Sequence, residues 1–96
     1  MIEPEHLSID LSLCAAHPSV WMRQFAVLQA ARSFPPGFDT LRVLADDHDA
    51  RVRRNVGEVL PLVARSNRRR AATIRKRLAT DQSWAVRKAV LSAHEK

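Results

Sequence analysis

Cysteine, glycine and tyrosine are scarce in this 96-residue chain, which has one Cys, two Gly and no Tyr. A single cysteine, Cys14, cannot form an internal disulfide, and its place in an apolar row predicts a buried structural thiol rather than a nucleophile. Few aromatic residues beside abundant Ala, Leu and Arg indicate an all-α domain rather than a sheet. The apolar fraction of 46% is enough for the core of one small domain.

The sequence also lacks a long hydrophobic run. No apolar stretch approaches the roughly 20 residues that a membrane span requires. The N-terminus carries Glu3 and Glu5, whereas a signal peptide would be basic there. We therefore expect no membrane partner and a cytoplasmic location.

Signals for catalysis are weak. The four histidines lack the spacing of a zinc site, no glycine-rich phosphate loop is present, and no Ser or Cys lies in a recognisable nucleophile motif. The cluster of Asp46, Asp47, His48 and Asp49 has the composition of a metal site, but it falls in a turn where an acidic residue and a helix cap are expected. We predict no enzyme activity, no metal and no cofactor.

Charge is distributed unevenly along the chain. Residues 1–48 hold three Arg against six acids, giving −3, whereas residues 49–96 hold thirteen Lys and Arg against four acids, giving +9. A basic half of this kind favours an acidic partner, either nucleic acid or an acidic protein surface. A basic face that is merely solvated is the alternative.

An internal repeat predicts the architecture. The segments DDHDARVRR and DQSWAVRK each place an Asp six residues before an Arg that follows a Val, and HPSVWMRQ repeats the spacing with His17 in the Asp place. Small or apolar residues recur at helical spacing on both sides of each turn, as two amphipathic helices per repeat require. We predict a right-handed α-solenoid of three helical hairpins, over about residues 5–33, 39–64 and 67–96.

Caps and breakers predict the helix boundaries. Pro18-Ser19 opens the second helix, and Pro35-Pro36-Gly37 predicts a rigid turn after it. Pro61 cannot donate to the carbonyl of Gly57, so we expect a bend in the fourth helix. The predicted N-caps of the later helices are Asp39, Asp49, Ser66 or Asn67, and Ser83.

The pattern Leu-Ala-x-Asp, a few polar residues, then Val-Arg-x-x-Val resembles the HEAT-like repeat, particularly the short version found in phycobilisome-lyase-type repeats. The resemblance covers about residues 14–94. In that family the Asp and Arg usually bond between neighbouring repeats as a ladder, and the helix after each turn lines the concave face. The function stays open, because such solenoids include scaffolds, lyase partners and nucleic-acid binders. The resemblance implies structural roles for Asp47, Arg53, Asp81 and Arg87.

The helix after each turn predicts what the concave groove presents. In the middle repeat the apolar residues fall on one face and the cations on the opposite face. The first repeat adds an exposed aromatic residue, and aromatic residues beside arginines are enriched at binding hot spots. Packing of Trp21 against the next repeat is the alternative. The predicted partner-binding residues are Trp21, Arg51, Arg54, Arg65 and Lys88.

The densest basic run is SNRRRAATIRKR, residues 66–77. Its apolar stripe predicts that the cations lie on the outer face of the fifth helix, either as solvated charge or as contacts to phosphate that weaken with salt. Some HEAT-like solenoids are alkylpurine DNA glycosylases, but this chain has half or fewer of their repeats, and no catalytic Asp or Trp can be placed by motif. The predicted phosphate-binding residues are Arg68, Arg69, Arg70, Lys76 and Arg77.

These patterns predict a non-enzymatic binding module. The leading function is a protein-interaction adaptor whose basic groove receives an acidic partner, and the alternative is a nucleic-acid binder. Val90, Leu91 and Ala93 form an apolar stripe near the C-terminus with nothing after it to cover them. This apolar stripe would dock a partner, form a homodimer, or cap itself.

Overall fold

The protein is described by a computed structural model over residues 10–94, with side chains to residue 91. Within these residues the chain forms six α-helices and no strand, which confirms the all-α prediction; the part of the first helix predicted before residue 10 lies outside them. None of the six has both the length and the hydropathy that crossing a membrane requires. The helices are α1 (Leu11–Ala15), α2 (Val20–Arg32), α3 (Phe38–Leu44), α4 (Ala50–Ala64), α5 (Arg68–Leu78) and α6 (Trp84–His94).

Short polar side chains define several helix starts. Asp49 accepts a hydrogen bond from the backbone amide of Arg51 at 2.8 Å, and Asn67 accepts one from the amide of Arg70 at 3.0 Å. Asp10 does the same for the first turn of α1. Each bond satisfies an amide that has no partner within its helix.

The prediction that Asp39 caps the third helix is wrong. α3 begins one residue earlier, at Phe38, with Gly37 in the cap position. Phe38 is buried in the core, and its inclusion in the helix leaves Asp39 in the first turn. A carboxylate there is still favourable, because it faces the positive end of the helix dipole.

Each helix contacts the next along the chain, and α2 with α3 and α4 with α5 do so more extensively than α3 with α4 or α5 with α6. We call the helices on either side of the turns at residues 16–19, 45–49 and 79–83 the first, second and third hairpins. The second helices of the hairpins also contact one another, α2 against α4 and α4 against α6, while α3 contacts both α1 and α5. The buried side chains between them form one apolar core, which also holds the Cys14 thiol. Its largest fully buried members are Leu41, Leu44, Leu60, Leu78, Val27, Val52, Val56, Val63, Val86 and Val90.

α4 and α6 approach each other closely at Gly57. A Cβ at this position would lie 3.0 Å from Cγ2 of Val90 and 3.6 Å from Cβ of Ala89, so only the absence of a side chain permits the contact. Pro61 lies four residues further along α4, and the helix continues through it to Ala64. The surface beside Gly57 is therefore formed by two helices, α4 and α6, that are in close contact.

Candidate functional site: buried ion pairs and a basic groove

A buried ion pair joins the second and third hairpins. Nε of Arg53, on α4, donates to Oδ2 of Asp81 at 2.8 Å, and one Nη donates to Oδ1 at 3.2 Å. The other Nη donates to the backbone carbonyl of Asp47 at 2.7 Å, which lies in the turn before α4. The side chains of Arg53 and Asp81 are only 8% and 2% exposed. Arg53 therefore binds its own turn and the turn of the next hairpin at once.

Arg23 repeats this arrangement between the first and second hairpins. Its Nε donates to Oδ2 of Asp47 at 2.8 Å, and one Nη donates to the carbonyls of His17 and Pro18, both at 2.9 Å. Both side chains of the Arg23–Asp47 pair are buried. We call the two pairs, Arg23–Asp47 and Arg53–Asp81, the ion-pair row. Arg23 is absent from the predicted ladder residues, although it occupies the Arg place of the weakest repeat.

The aspartates of the row also stabilise their own turns. Oδ1 of Asp47 accepts from the amide of Asp49 at 2.9 Å, and Oδ1 of Asp81 accepts from the amide of Ser83 at 2.9 Å. In the first turn the Nδ1 atom of His17 accepts from the amide of Ser19, also at 2.9 Å. His17 thus replaces the aspartate in its turn without supplying a carboxylate.

The pKa of Asp81 reflects two opposing effects. Burial is the largest influence and raises the pKa, because it disfavours the charged carboxylate. The hydrogen bonds from Arg53 and from the Ser83 amide, with the charges of Arg53 and Arg77, outweigh burial and lower the pKa below 3.8. Asp81 is therefore ionised at neutral pH, as the buried pair requires.

Arg87 occupies the Arg place of the third hairpin. One Nη donates to the carbonyl of Asp81 at 2.5 Å, as the equivalent atoms of Arg23 and Arg53 do in their own turns. Its guanidinium lies 5.8 Å from the centre of the Trp84 ring. Over residues 10–91, no carboxylate forms a salt bridge with Arg87.

Two of the five predicted partner-binding residues lie together in one surface groove. The groove runs between α4 and α6 and has a volume of about 410 Å³. We call it the α4–α6 groove. It contains both Arg54 and Lys88, and also an aromatic side chain, Trp84, that the sequence reasoning missed. Its lining residues are Arg54, Glu58, Trp84, Ala85, Lys88 and Ala89.

The other three predicted partner-binding residues lie outside the lining of this groove. Trp21 is 76% exposed on α2, so the alternative that it packs against the next repeat is wrong. Arg65 is exposed directly after α4. Arg51 is bound by Asp49 through two side-chain hydrogen bonds of 2.8 and 3.1 Å. The side-chain bond from Arg51 is the main reason that the pKa of Asp49 falls to about 2.

The predicted phosphate-binding residues divide into two groups on α5. Arg70 donates to Asp39 at 2.7 Å and lies 4.9 Å from the centre of the Phe38 ring, and Arg77 donates to Asp46 at 2.7 Å. These two arginines therefore connect α5 to α3 and its turn. The remaining three are exposed and form no salt bridge within the described part of the chain: Arg68, Arg69 and Lys76.

The acidic cluster before α4 is engaged by arginines. One of its aspartates belongs to the ion-pair row, and the other two form exposed pairs. Their oxygens point to separate cations rather than converging on one point. The three contacts are Asp46 with Arg77, Asp47 with Arg23, and Asp49 with Arg51.

Comparison of the chain with protein-family models, with curated proteins and with solved structures finds no match. The arrangement of its own side chains therefore carries the functional argument.

Proposed function

We propose that this chain is a short right-handed α-solenoid of three HEAT-like hairpins that acts as a protein-interaction module. In this proposal the α4–α6 groove receives an acidic segment of a partner protein, and no chemistry is performed on it. The ion-pair row supports the solenoid, because the same Arg and Asp positions join successive hairpins twice. The resemblance of the turn motif to HEAT-like repeats supports the same arrangement.

The observation that carries the proposed function is a pair of cations in the α4–α6 groove. Arg54 lies on α4 and Lys88 on α6, both are exposed, and neither forms a salt bridge with another described residue. Arg51, only three residues before Arg54, is by contrast neutralised by Asp49. Arg54 and Lys88 are therefore the groove cations whose charge remains open to a carboxylate from outside.

Trp84 adds an apolar element to this site. Its side chain is 61% exposed and lines the groove beside Lys88. Large exposed aromatic side chains next to cations are typical of the residues that contribute most to protein interfaces. A partner segment with carboxylates and at least one large apolar side chain would complement both features.

A charge-reversal experiment tests this placement. The probe is a short fluorescein-labelled peptide in which Glu alternates with Leu and Phe, and binding is followed by anisotropy. Arg54→Glu with Lys88→Glu should weaken binding at least about tenfold, because two attractions become two repulsions. The matched control is Arg69→Glu with Lys76→Glu on α5, which alters the net charge equally and should leave peptide affinity close to that of the unmodified chain.

Nucleic-acid binding is the alternative function, supported by the exposed cations of α5 that form no salt bridge with another described residue. Labelled duplex and single-stranded DNA, titrated at several salt concentrations, provide its test. The alternative would be established by DNA binding that weakens steeply with salt, because phosphate contacts release counterions. This binding should be lost in the Arg69→Glu, Lys76→Glu variant and kept in the Arg54→Glu, Lys88→Glu variant. If neither variant alters binding of peptide or DNA, both placements are wrong.

A further inference from the structure

In the first and second hairpins, three positions on the second helix face the hairpin that follows. In the first hairpin, Arg23 reaches across to the second, and in the middle hairpin Arg53 reaches the third while Gly57 contacts α6. The positions three residues before and four residues after each arginine lie on the same side of the helix. In both hairpins all three positions are buried or half-buried: Val20, Arg23 and Val27 in the first, and Ala50, Arg53 and Gly57 in the second.

The same three positions are open in the third hairpin. They are Trp84, Arg87 and Leu91 on α6, and we call them the C-terminal face. Trp84 is 61% and Leu91 54% exposed, and both are larger than the residues in the corresponding buried places. Arg87 is half-buried between them. This face therefore presents apolar area on either side of a guanidinium.

Arg87 uses only part of its hydrogen-bonding capacity. Its bond to the Asp81 carbonyl corresponds to the turn contact that Arg23 and Arg53 make. In those two arginines Nε then donates to an aspartate of the following hairpin at 2.8 Å. Nε of Arg87 makes no side-chain hydrogen bond within residues 10–91. Among the described residues, the donors that join two successive hairpins elsewhere in the protein thus have no side-chain partner here.

We infer that the C-terminal face docks a helical hairpin of another polypeptide, whose turn places an aspartate against Arg87. The inference rests on the three-hairpin arrangement proposed above, but not on the α4–α6 groove, although Trp84 borders both. Charge complementarity selects the aspartate, because this is the group that Arg23 and Arg53 bind in the equivalent place. The exposed Trp84 and Leu91 would cover the apolar surface of the incoming helices.

A second copy of this chain does not fit this role in a head-to-tail arrangement. The turn that it would bring to Arg87 is the first one, which carries His17 instead of an aspartate. His17 already uses its Nδ1 atom to accept from the Ser19 amide. The partner is therefore a hairpin of different sequence.

A grafted hairpin provides a defined probe. The full chain is extended after residue 96 by a copy of residues 33–66, which contains the helices and the turn that Arg23 binds. This junction places the copied Asp47 24 residues after Arg87, the same separation that Arg23 and Asp47 have. A Trp21→Phe background leaves Trp84 as the only native tryptophan. Docking should shift the Trp84 emission to shorter wavelength and reduce its quenching by acrylamide.

A double-mutant cycle then isolates the contact with the aspartate. The copied Asp47 is changed to Asn, Arg87 is changed to Gln, and urea unfolding is followed for both variants and their combination. Because Arg87→Gln loses the bond to its own turn in both backgrounds, that loss cancels in the cycle. We expect a coupling of roughly two- to a hundredfold in the unfolding equilibrium constant. The matched control, Asn in place of the copied Asp49, should show no coupling to Arg87.

The results separate the proposal from its alternatives. The proposal is overturned if acrylamide quenches Trp84 equally with and without the graft and the cycle shows no coupling. The same conclusion holds if circular dichroism shows that the appended helices do not fold while the original 96 residues remain helical. The unmodified chain should sediment as a monomer. An oligomer that Leu91→Glu dissociates would instead show that a second copy covers this face, and the choice of partner would be wrong.

Discussion

The buried Arg53–Asp81 pair gives the most decisive test of how the hairpins are held together. The perturbation is Asp81→Asn, which preserves the size of the side chain and the oxygen that accepts from the Ser83 amide. It removes the negative charge opposite Arg53, whose own side chain is 8% exposed. The variant therefore leaves a buried guanidinium without a counter-charge.

The expected loss follows from that isolation. Removing one partner of a buried ion pair costs about 3–5 kcal/mol, because the remaining charge stays desolvated. Small domains have total stabilities of about 5–15 kcal/mol, so the variant would lose a large part of its margin. For a domain of this size, each kcal/mol lowers the Tm by roughly 4–8 °C, and the expected decrease is therefore at least about 12 °C.

Urea and thermal unfolding, followed by circular dichroism at 222 nm, measure the effect. The matched control is Asp49→Asn, the same substitution at an ion pair whose arginine is 59% exposed and whose carboxylate is 19% exposed. Asn is also a good N-cap, so the bond to the Arg51 amide can be retained. Exposed pairs contribute little, and the control should be close to the unmodified chain. Equal losses in the two variants would refute the structural role of the buried pair.

Three further predictions follow from single groups. The pKa of Asp81 in the folded chain lies below 3.8. As the pH falls, the Asp81 carboxylate is therefore protonated in the unfolded chain before it is protonated in the folded one. The stability that the ion pair contributes is present above about pH 4 and is lost below it. The urea midpoint of the unmodified chain should therefore fall more steeply between pH 4 and pH 2 than that of Asp81→Asn, and parallel curves would contradict this. Gly57→Val should lower the free energy of unfolding in urea by about 1–3 kcal/mol, because the added side chain overlaps Val90. The control is Ala85→Val on the exposed side of α6, which should lower it by less than about 1 kcal/mol. The buried Cys14 thiol should react with a disulfide reagent only as the chain unfolds in urea, and rapid reaction in native buffer would show that this position is open.

The structural features that recur in each repeat were the ones that the sequence predicted best. A repeated spacing of Asp and Arg is informative because equivalent residues in a stacked unit meet equivalent neighbours. The alignment includes Arg23 as well as Arg53, and the structure shows both in buried pairs with an aspartate of the following hairpin. Periodicity was also sufficient for the number of helices, since each apolar stripe must turn towards a single core.

The features that depend on contact between helices could not be predicted in the same way. Trp84 lines a groove that also contains residues of α4, and α4 and α6 are in close contact at Gly57. No pattern within one helix reports which helix lies beside it. A helical wheel places Arg51 and Arg54 on the same side, yet Asp49 binds only Arg51. Side-chain pairing of this kind decides which charges are available to a partner, and it appears only once the turns are placed.

The ion-pair row has a direction, and this explains the differences between its ends. Each aspartate has two roles, accepting from an amide of its own turn and pairing with the arginine of the preceding hairpin. In the first turn the imidazole of His17 fills the first role, because it accepts from the Ser19 amide, but it offers no carboxylate for the second. Arg87 makes its turn bond, and within residues 10–91 its Nε makes no side-chain hydrogen bond, so this donor can reach a following aspartate. A hairpin carrying such an aspartate is therefore complementary to the third hairpin and not to the first.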